Sequence, residues 1–81
     1  MFHVYVIYSE KVGKKYIGYT EDLELRLQQH NSGSLGVYTK SKGPWMLKYR
    51  ETYETKKEAI LRERYLKTGV GRDFLKREIG I

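Results

Sequence analysis

Cysteine is absent from the 81 residues, so no disulfide holds the fold and no thiolate binds a metal or attacks a substrate. Histidine occurs only twice, as His3 and His30, which removes the closely spaced imidazole pairs of zinc sites. No apolar run approaches the roughly 18 residues that would suggest a bilayer span. No segment has the order of a secretory leader, so the cytoplasm is the expected location and no membrane is an expected partner. A phosphate-cradling glycine loop ahead of a helix and a serine nucleophile arrangement are also missing, which demotes kinase and serine hydrolase chemistry.

What remains is short, basic and aromatic. At this length one domain spanning residues 1–81 is expected, and every apolar face must be used because small chains bury a modest share of their surface. Sixteen Lys and Arg against ten Asp and Glu give +6, the electrostatic footprint of a nucleic-acid binder. Eight Tyr, two Phe and one Trp can stack on bases, bond phosphates and move protons, and they can equally build a small core.

Residues 2–8, dense in β-branched and aromatic side chains, read as a strand that turns at 9–15 into a second strand, Tyr16 to Tyr19. Thr20 reads as an N-cap, with Glu21 and Asp22 in the first turn of a helix that runs to about Asn31 and stops at Gly33. Residues 32–43 read as a long loop. After Pro44 the alternation of Trp45, Leu47 and Tyr49 with Met46, Lys48 and Arg50 predicts a half-buried strand ending near Tyr53. Thr55 and Glu58 fit a capping box for a second helix to Thr68, closed by Gly69, and a third helix covers Arg72 to Ile79 and buries Phe74 and Leu75. The expectation is an α+β domain: a three-stranded antiparallel sheet flanked by helices, in the order β-β-α-β-α-α.

Several positions are out of place for a purely structural role. Strand alternation puts Tyr5 and Ile7 on one face, and closure of the hairpin sets Tyr5 opposite Gly18 with Tyr16 beside it. Two phenols then flank a glycine that leaves room above the sheet, although tyrosine is also an ordinary strand residue. Arg26 and His30, four apart, project from one face of the first helix beside Leu23 and Leu27. A guanidinium there can grip a phosphate and an imidazole can move a proton, or Arg26 can simply pair with Asp22. Glu63 falls on a mostly apolar arc with Ala59, Ile60 and Leu66, where a carboxylate needs a partner: Lys67, Arg26 or a divalent metal.

Among the basic residues, Lys14, Lys15, Lys67, Arg72, Lys76 and Arg77 read mostly as solvated surface, any subset of which can meet phosphates. Lys40 and Lys42, in the long loop with Tyr38 and near Trp45, interleave charge with rings and are the leading candidates for nucleic-acid contact.

These residues resemble the GIY-YIG nuclease superfamily, in particular its small stand-alone bacterial members, over nearly the whole chain. Val4-Tyr5-Val6 stands where the first tripeptide belongs, and Tyr16-Ile17-Gly18 reproduces the second. Arg26 and His30 match the helix-borne pair, Glu63 matches the metal-binding acid, and Gly43-Pro44-Trp45 is similar to the stand-alone group. The resemblance implies an endonuclease that cuts DNA phosphodiester bonds with Mg²⁺ or Mn²⁺. It assigns Glu63 to the metal, Arg26 to the charged phosphoryl group, Tyr5 and Tyr16 to the attacking water, and His30 to assistance nearby. It also implies that Arg26 and the ion lower the phenol pKa. Two departures stand out: the first tripeptide lacks its glycine, and no Asn follows Glu63, Asn31 being the chain's only one.

So small a surface reads little sequence, so structure-selective cutting of branched, nicked or damaged DNA is expected, with a protein partner supplying further specificity. Two alternatives are a catalytically silent nucleic-acid-binding module and a protein-interaction module anchored by Tyr and Trp.

Overall fold

The computed structural model describes residues 1–34 and 42–81; Tyr38 and Lys40 lie outside the described residues, as does most of the expected loop. The elements are β1 (Phe2–Ser9), β2 (Lys14–Thr20), α1 (Leu23–Ser32), β3 (Met46–Tyr53), α2 (Lys56–Leu66) and α3 (Gly69–Ile79), the order read from the sequence. The antiparallel sheet runs β2-β1-β3, so the most apolar strand is central and both of its faces are covered. Val4 and Val6 pack with Ile17 against Ala59 and Leu66 of α2 and Leu75 of α3. Tyr5 and Ile7, on the opposite face, pack with Leu23 of α1 and Trp45. The architecture is α+β, with α1 on one face of the sheet and the α2–α3 pair on the other. Full burial of each such side chain is worth roughly 1.5–3 kcal/mol, so β1, whose Val4 to Ile7 are all at most 1% exposed, anchors the fold.

Element boundaries differ from the sequence expectation where a local hydrogen bond outcompetes the simpler pattern. Asp22, not Thr20, caps α1: its carboxylate accepts from Leu25 N at 3.0 Å, while Thr20 Oγ1 bonds the backbone of Asp22 and shapes the approach. Gly33, at φ 78°, ends this helix in the left-handed region, as expected. The Thr55–Glu58 capping box of α2 is present in both directions. Gly69, however, does not terminate α2. Lys67 is the C-cap, and Thr68 serves both helices: its Oγ1 donates to Tyr65 O at 2.6 Å and accepts from Gly71 N at 3.2 Å. α3 therefore begins three residues before the expected Arg72. Gly71 lets the two helices meet, because a Cβ there would stand 2.1 Å from Tyr65 O and 2.5 Å from Leu66 Cα.

Strand β3 departs from simple alternation. Tyr49 faces Val6 but Leu47 faces Ile7, so the pairing slips between them and Lys48 is the extra residue of a bulge. Leu47 thus goes with the Tyr5–Ile7 face and Tyr49 with the Val4–Val6 face. Tyr49, Glu51 and Tyr53 then share a side, where both phenols donate to the Glu51 carboxylate at 2.5 Å and Arg62 of α2 binds it at 2.8 and 3.0 Å. This network fixes α2 to the sheet with two parallel bonds. Trp45, 2% exposed, is part of the core and offers no ring to a nucleic acid.

Candidate active site

The hairpin register sets Tyr5 opposite Gly18 and Ile7 opposite Tyr16, as strand alternation requires. Gly18 is needed here for space: a Cβ on it would lie 2.7 Å from the Tyr5 hydroxyl, 2.9 Å from its ring carbon and 3.1 Å from the Tyr16 ring. The Tyr5 ring lies across the glycine and its centroid is 6.3 Å from that of Tyr16. His30, four residues beyond Arg26 on α1, completes the group. Its ring centroid is 4.8 Å from Tyr16 and 5.8 Å from Tyr5, and its Nε2 is hydrogen-bonded to the Tyr5 hydroxyl at 2.8 Å. His30 is 2% exposed, a core residue and not a surface one.

These side chains back an open cleft of about 520 Å³ along the edge strand β2. Tyr5, Tyr16 and Gly18 line it from the hairpin, Arg26 from α1 and Glu63 from α2. Four of the five catalytic candidates line the same cleft, and His30 stands behind Tyr5. Lys42 is elsewhere: Ser9 Oγ donates to its carbonyl at the far end of β1, and it is not part of the cleft wall. Asn31 is occupied structurally, its amide bonding the Trp45 backbone in both directions.

Burial dominates the electrostatics. The Tyr5 phenol is pushed well above its ordinary value of 10.0 by burial, then by Tyr16 and Glu63, while Arg26 opposes the shift by its charge and a hydrogen bond. Arg26 therefore acts in the direction expected from the sequence but is outweighed, and Tyr5 is a neutral phenol at neutral pH. His30 is held below its ordinary 6.5 by burial and then by Arg26, so it is neutral as well. Glu63 keeps 17% of its side chain exposed and meets Lys67 Nζ at 3.4 Å, one of the partners the sequence offered. Among the described residues Arg26 makes no ion pair with Asp22.

Sequence reasoning missed Lys56, which lines the cleft with Glu63. The signal was available: the two are seven apart on α2, two turns that return to one face. Glu21 and Asp22 also line the cleft, so three carboxylates face two cations there.

Among the described residues no three His, Cys, Asp or Glu side chains cluster into a metal cage. One partly buried carboxylate in a polar, open cleft nevertheless suits a hard cation such as Mg²⁺, which keeps most of its waters and takes one or two protein carboxylates plus substrate phosphate.

A mixed sheet-and-helix fold with two phenols, a guanidinium and a carboxylate around one cleft has the makings of a phosphodiester-cutting site. The GIY-YIG catalytic domain matches residues 1–76, and the chain belongs to the GIY-YIG family, with a nuclease-type fold. It is 42% identical over 66 residues to a UPF0213 protein of Staphylococcus saprophyticus, covering 82% of this chain and 80% of that one. A UPF0213 protein of Staphylococcus aureus is 46% identical over 56 residues, covering 69% and 68%. The solution NMR structure of a UPF0213 protein from Bacillus halodurans superposes with a TM-score of 0.58 at 28% identity, covering 99% of this chain and 88% of that one. GIY-YIG nucleases generally depend on a divalent metal and act on DNA.

Proposed function

We propose that the protein is a Mg²⁺- or Mn²⁺-dependent endonuclease that hydrolyses DNA phosphodiester bonds and selects its substrate by structure rather than sequence. The observation that carries this reading is the convergence of Tyr5, Tyr16, Arg26 and Glu63 on one cleft. Phosphoryl transfer chiefly needs positioning and charge neutralisation.

Each residue has a role that its surroundings suit. Arg26 holds the phosphoryl oxygens with its planar fork. Glu63 holds the metal, which supplies Lewis-acid charge and an acidified water when bound. The Tyr5 hydroxyl and Nε2 of neutral His30 share a hydrogen bond. In the Nδ1–H tautomer Nε2 accepts the Tyr5 proton, and the phenol oxygen, which also takes a bond from Arg26, keeps a lone pair for the attacking water. Tyr5 is thus a positioning hydroxyl with His30 as the outlet for its proton, and no free phenolate is required. Tyr16 closes the other wall.

A silent nucleic-acid-binding module is the second reading, favoured by the Lys67–Glu63 contact and by the absence of an Asn after Glu63. One experiment separates the two: incubation of wild type, Glu63→Gln and Arg26→Ala with flapped, forked, nicked and supercoiled DNA in Mg²⁺, Mn²⁺ and chelator. Metal-dependent cutting by the wild type alone supports the nuclease. Binding without cutting, unchanged by chelator and by Glu63→Gln, supports the silent module.

A further inference from the structure

On the other side of Tyr16 lies a second groove, of about 480 Å³. One wall is the hairpin, with Lys14 and Lys15 beside Tyr16; the other is the α2–α3 junction, with Lys67 and Arg72. No carboxylate lines it, and the first turn of α3, where acids are usually favoured, carries none. Among the described residues Lys14 and Arg72 make no ion pair, and Lys67 is half exposed in its 3.4 Å contact with Glu63.

The contrast with the cleft is informative. Glu21, Asp22 and Glu63 face Arg26 and Lys56 there, and Lys67 reaches Glu63 from outside, so before a metal binds the cleft carries no net positive charge and is a poor receptor for a polyanion. Affinity for a phosphate backbone must come from outside it, and across Tyr16 stands a groove lined by four cationic residues and no acidic one, Lys67 reaching Glu63 from it. Tyr16 forms a wall of both depressions, so a strand leaving the cleft over this ring enters the basic groove.

We propose that this groove is a phosphate-backbone subsite that holds the DNA strand flanking the bond presented to the cleft. The proposal rests on the nuclease reading for the identity of the polymer. Lys14 and Arg72 act as diffuse charge contacts from opposite walls, and neither reads bases. Binding is therefore one-sided: the strand is gripped on the hairpin side of the cleft.

The test is binding of a labelled single-stranded DNA oligonucleotide by fluorescence anisotropy, in chelator, over a salt series. Wild type is compared with Lys14→Ala/Arg72→Ala and with a control pair from the last turn of α3, Lys76→Ala/Arg77→Ala. Removal of two phosphate contacts is expected to weaken binding on the order of tenfold near 0.1 M salt and to flatten the log–log salt slope by about 1.4. The control pair leaves both nearly unchanged. Equal losses in the two pairs, no loss in the groove pair, or no binding by wild type overturns the proposal. Amide NMR shifts of wild type on titration with the oligonucleotide give a readout free of mutation. Perturbations at 13–17 and 67–72 are expected, and their absence contradicts the subsite. A groove-specific loss of binding in a protein that never cuts DNA leaves the subsite standing and removes only the nuclease reading.

Discussion

The hydroxyl of Tyr5 and Nε2 of His30 share a buried hydrogen bond of 2.8 Å although 25 residues separate them in sequence. The central strand fixes the first and the last turn of α1 fixes the second, so neither can move without disturbing the core around Leu23 and Trp45. That pairing orients the hydroxyl of a strand tyrosine beside the cleft.

Tyr5→Phe keeps the ring and removes only the oxygen. It removes the hydrogen bond to the His30 nitrogen, at a stability loss of roughly 1–3 kcal/mol. Cleavage should fall by on the order of 10² or more, with little change in DNA affinity. Parallel measurement of unfolding midpoints, affinity and single-turnover cleavage checks this; wild-type rates in the variant would refute a role for the hydroxyl.

Acid should destabilise the protein in two steps. His30 is pushed below 6.5 by burial and then Arg26, so its contribution is fully present above that value and is lost as pH falls through the lower folded pKa. Burial pushes Glu51 up, but hydrogen bonds from Arg62, Tyr49 and Tyr53 prevail and hold it below 4.5. Its contribution is present above 4.5 and disappears at still lower pH. At the alkaline end, Tyr53 is pushed up to about 12 by burial and then Glu51, so its contribution holds below 10.0 and is lost towards 12. Denaturant unfolding across the pH range measures these slopes, and a flat profile between 7 and 4 contradicts the assignment.

Gly18→Ala places a methyl group 2.7 Å from the Tyr5 hydroxyl. The phenol must swing away or the hairpin must shift, costing about 1–3 kcal/mol. The expected signature is a loss of cleavage larger than the loss of stability implies, with altered Tyr5 and His30 ring NMR signals. Unchanged signals would show that the glycine is not what makes room for the phenol.

Gly71→Ala tests the fold without touching the cleft. Its Cβ would meet the backbone of Tyr65 and Leu66, which cannot rotate away, so the cost should reach or exceed about 3 kcal/mol and appear as a lower thermal midpoint. A midpoint equal to wild type would mean that α3 can retreat from α2 freely.

Much of this was legible in the sequence, for identifiable reasons. Period-two alternation and a short turn fix which residues face each other, so the Tyr5–Gly18 pairing followed directly. The four-residue spacing put Arg26 and His30 on one side of α1, and the polar oddity of Glu63 on an apolar arc marked it for the cleft. Other features depend on competition between close alternatives. Thr20 and Asp22 are both good caps, and only the approach of the chain decides between them. Gly69 looked like a helix terminator because Thr68, which ends one helix and begins the next, is an equally common residue inside loops. The Lys48 bulge leaves no mark on the sequence, yet it reassigns Tyr49 to the other face and assembles the Glu51–Arg62 network. The Asn31 clamp on the backbone of Trp45 is a long-range contact that no local pattern announces.

The most direct measurement is the rate at which wild type and Glu63→Gln cut a forked DNA duplex in Mn²⁺, with both proteins shown to unfold at matching temperatures. Cleavage by wild type that disappears in chelator and drops at least a hundredfold in the variant, on the order of one essential catalytic group, is the predicted result. No cleavage by wild type with any divalent cation, or equal rates for the two proteins, would contradict the assignment of Glu63 and its neighbours to a nuclease site.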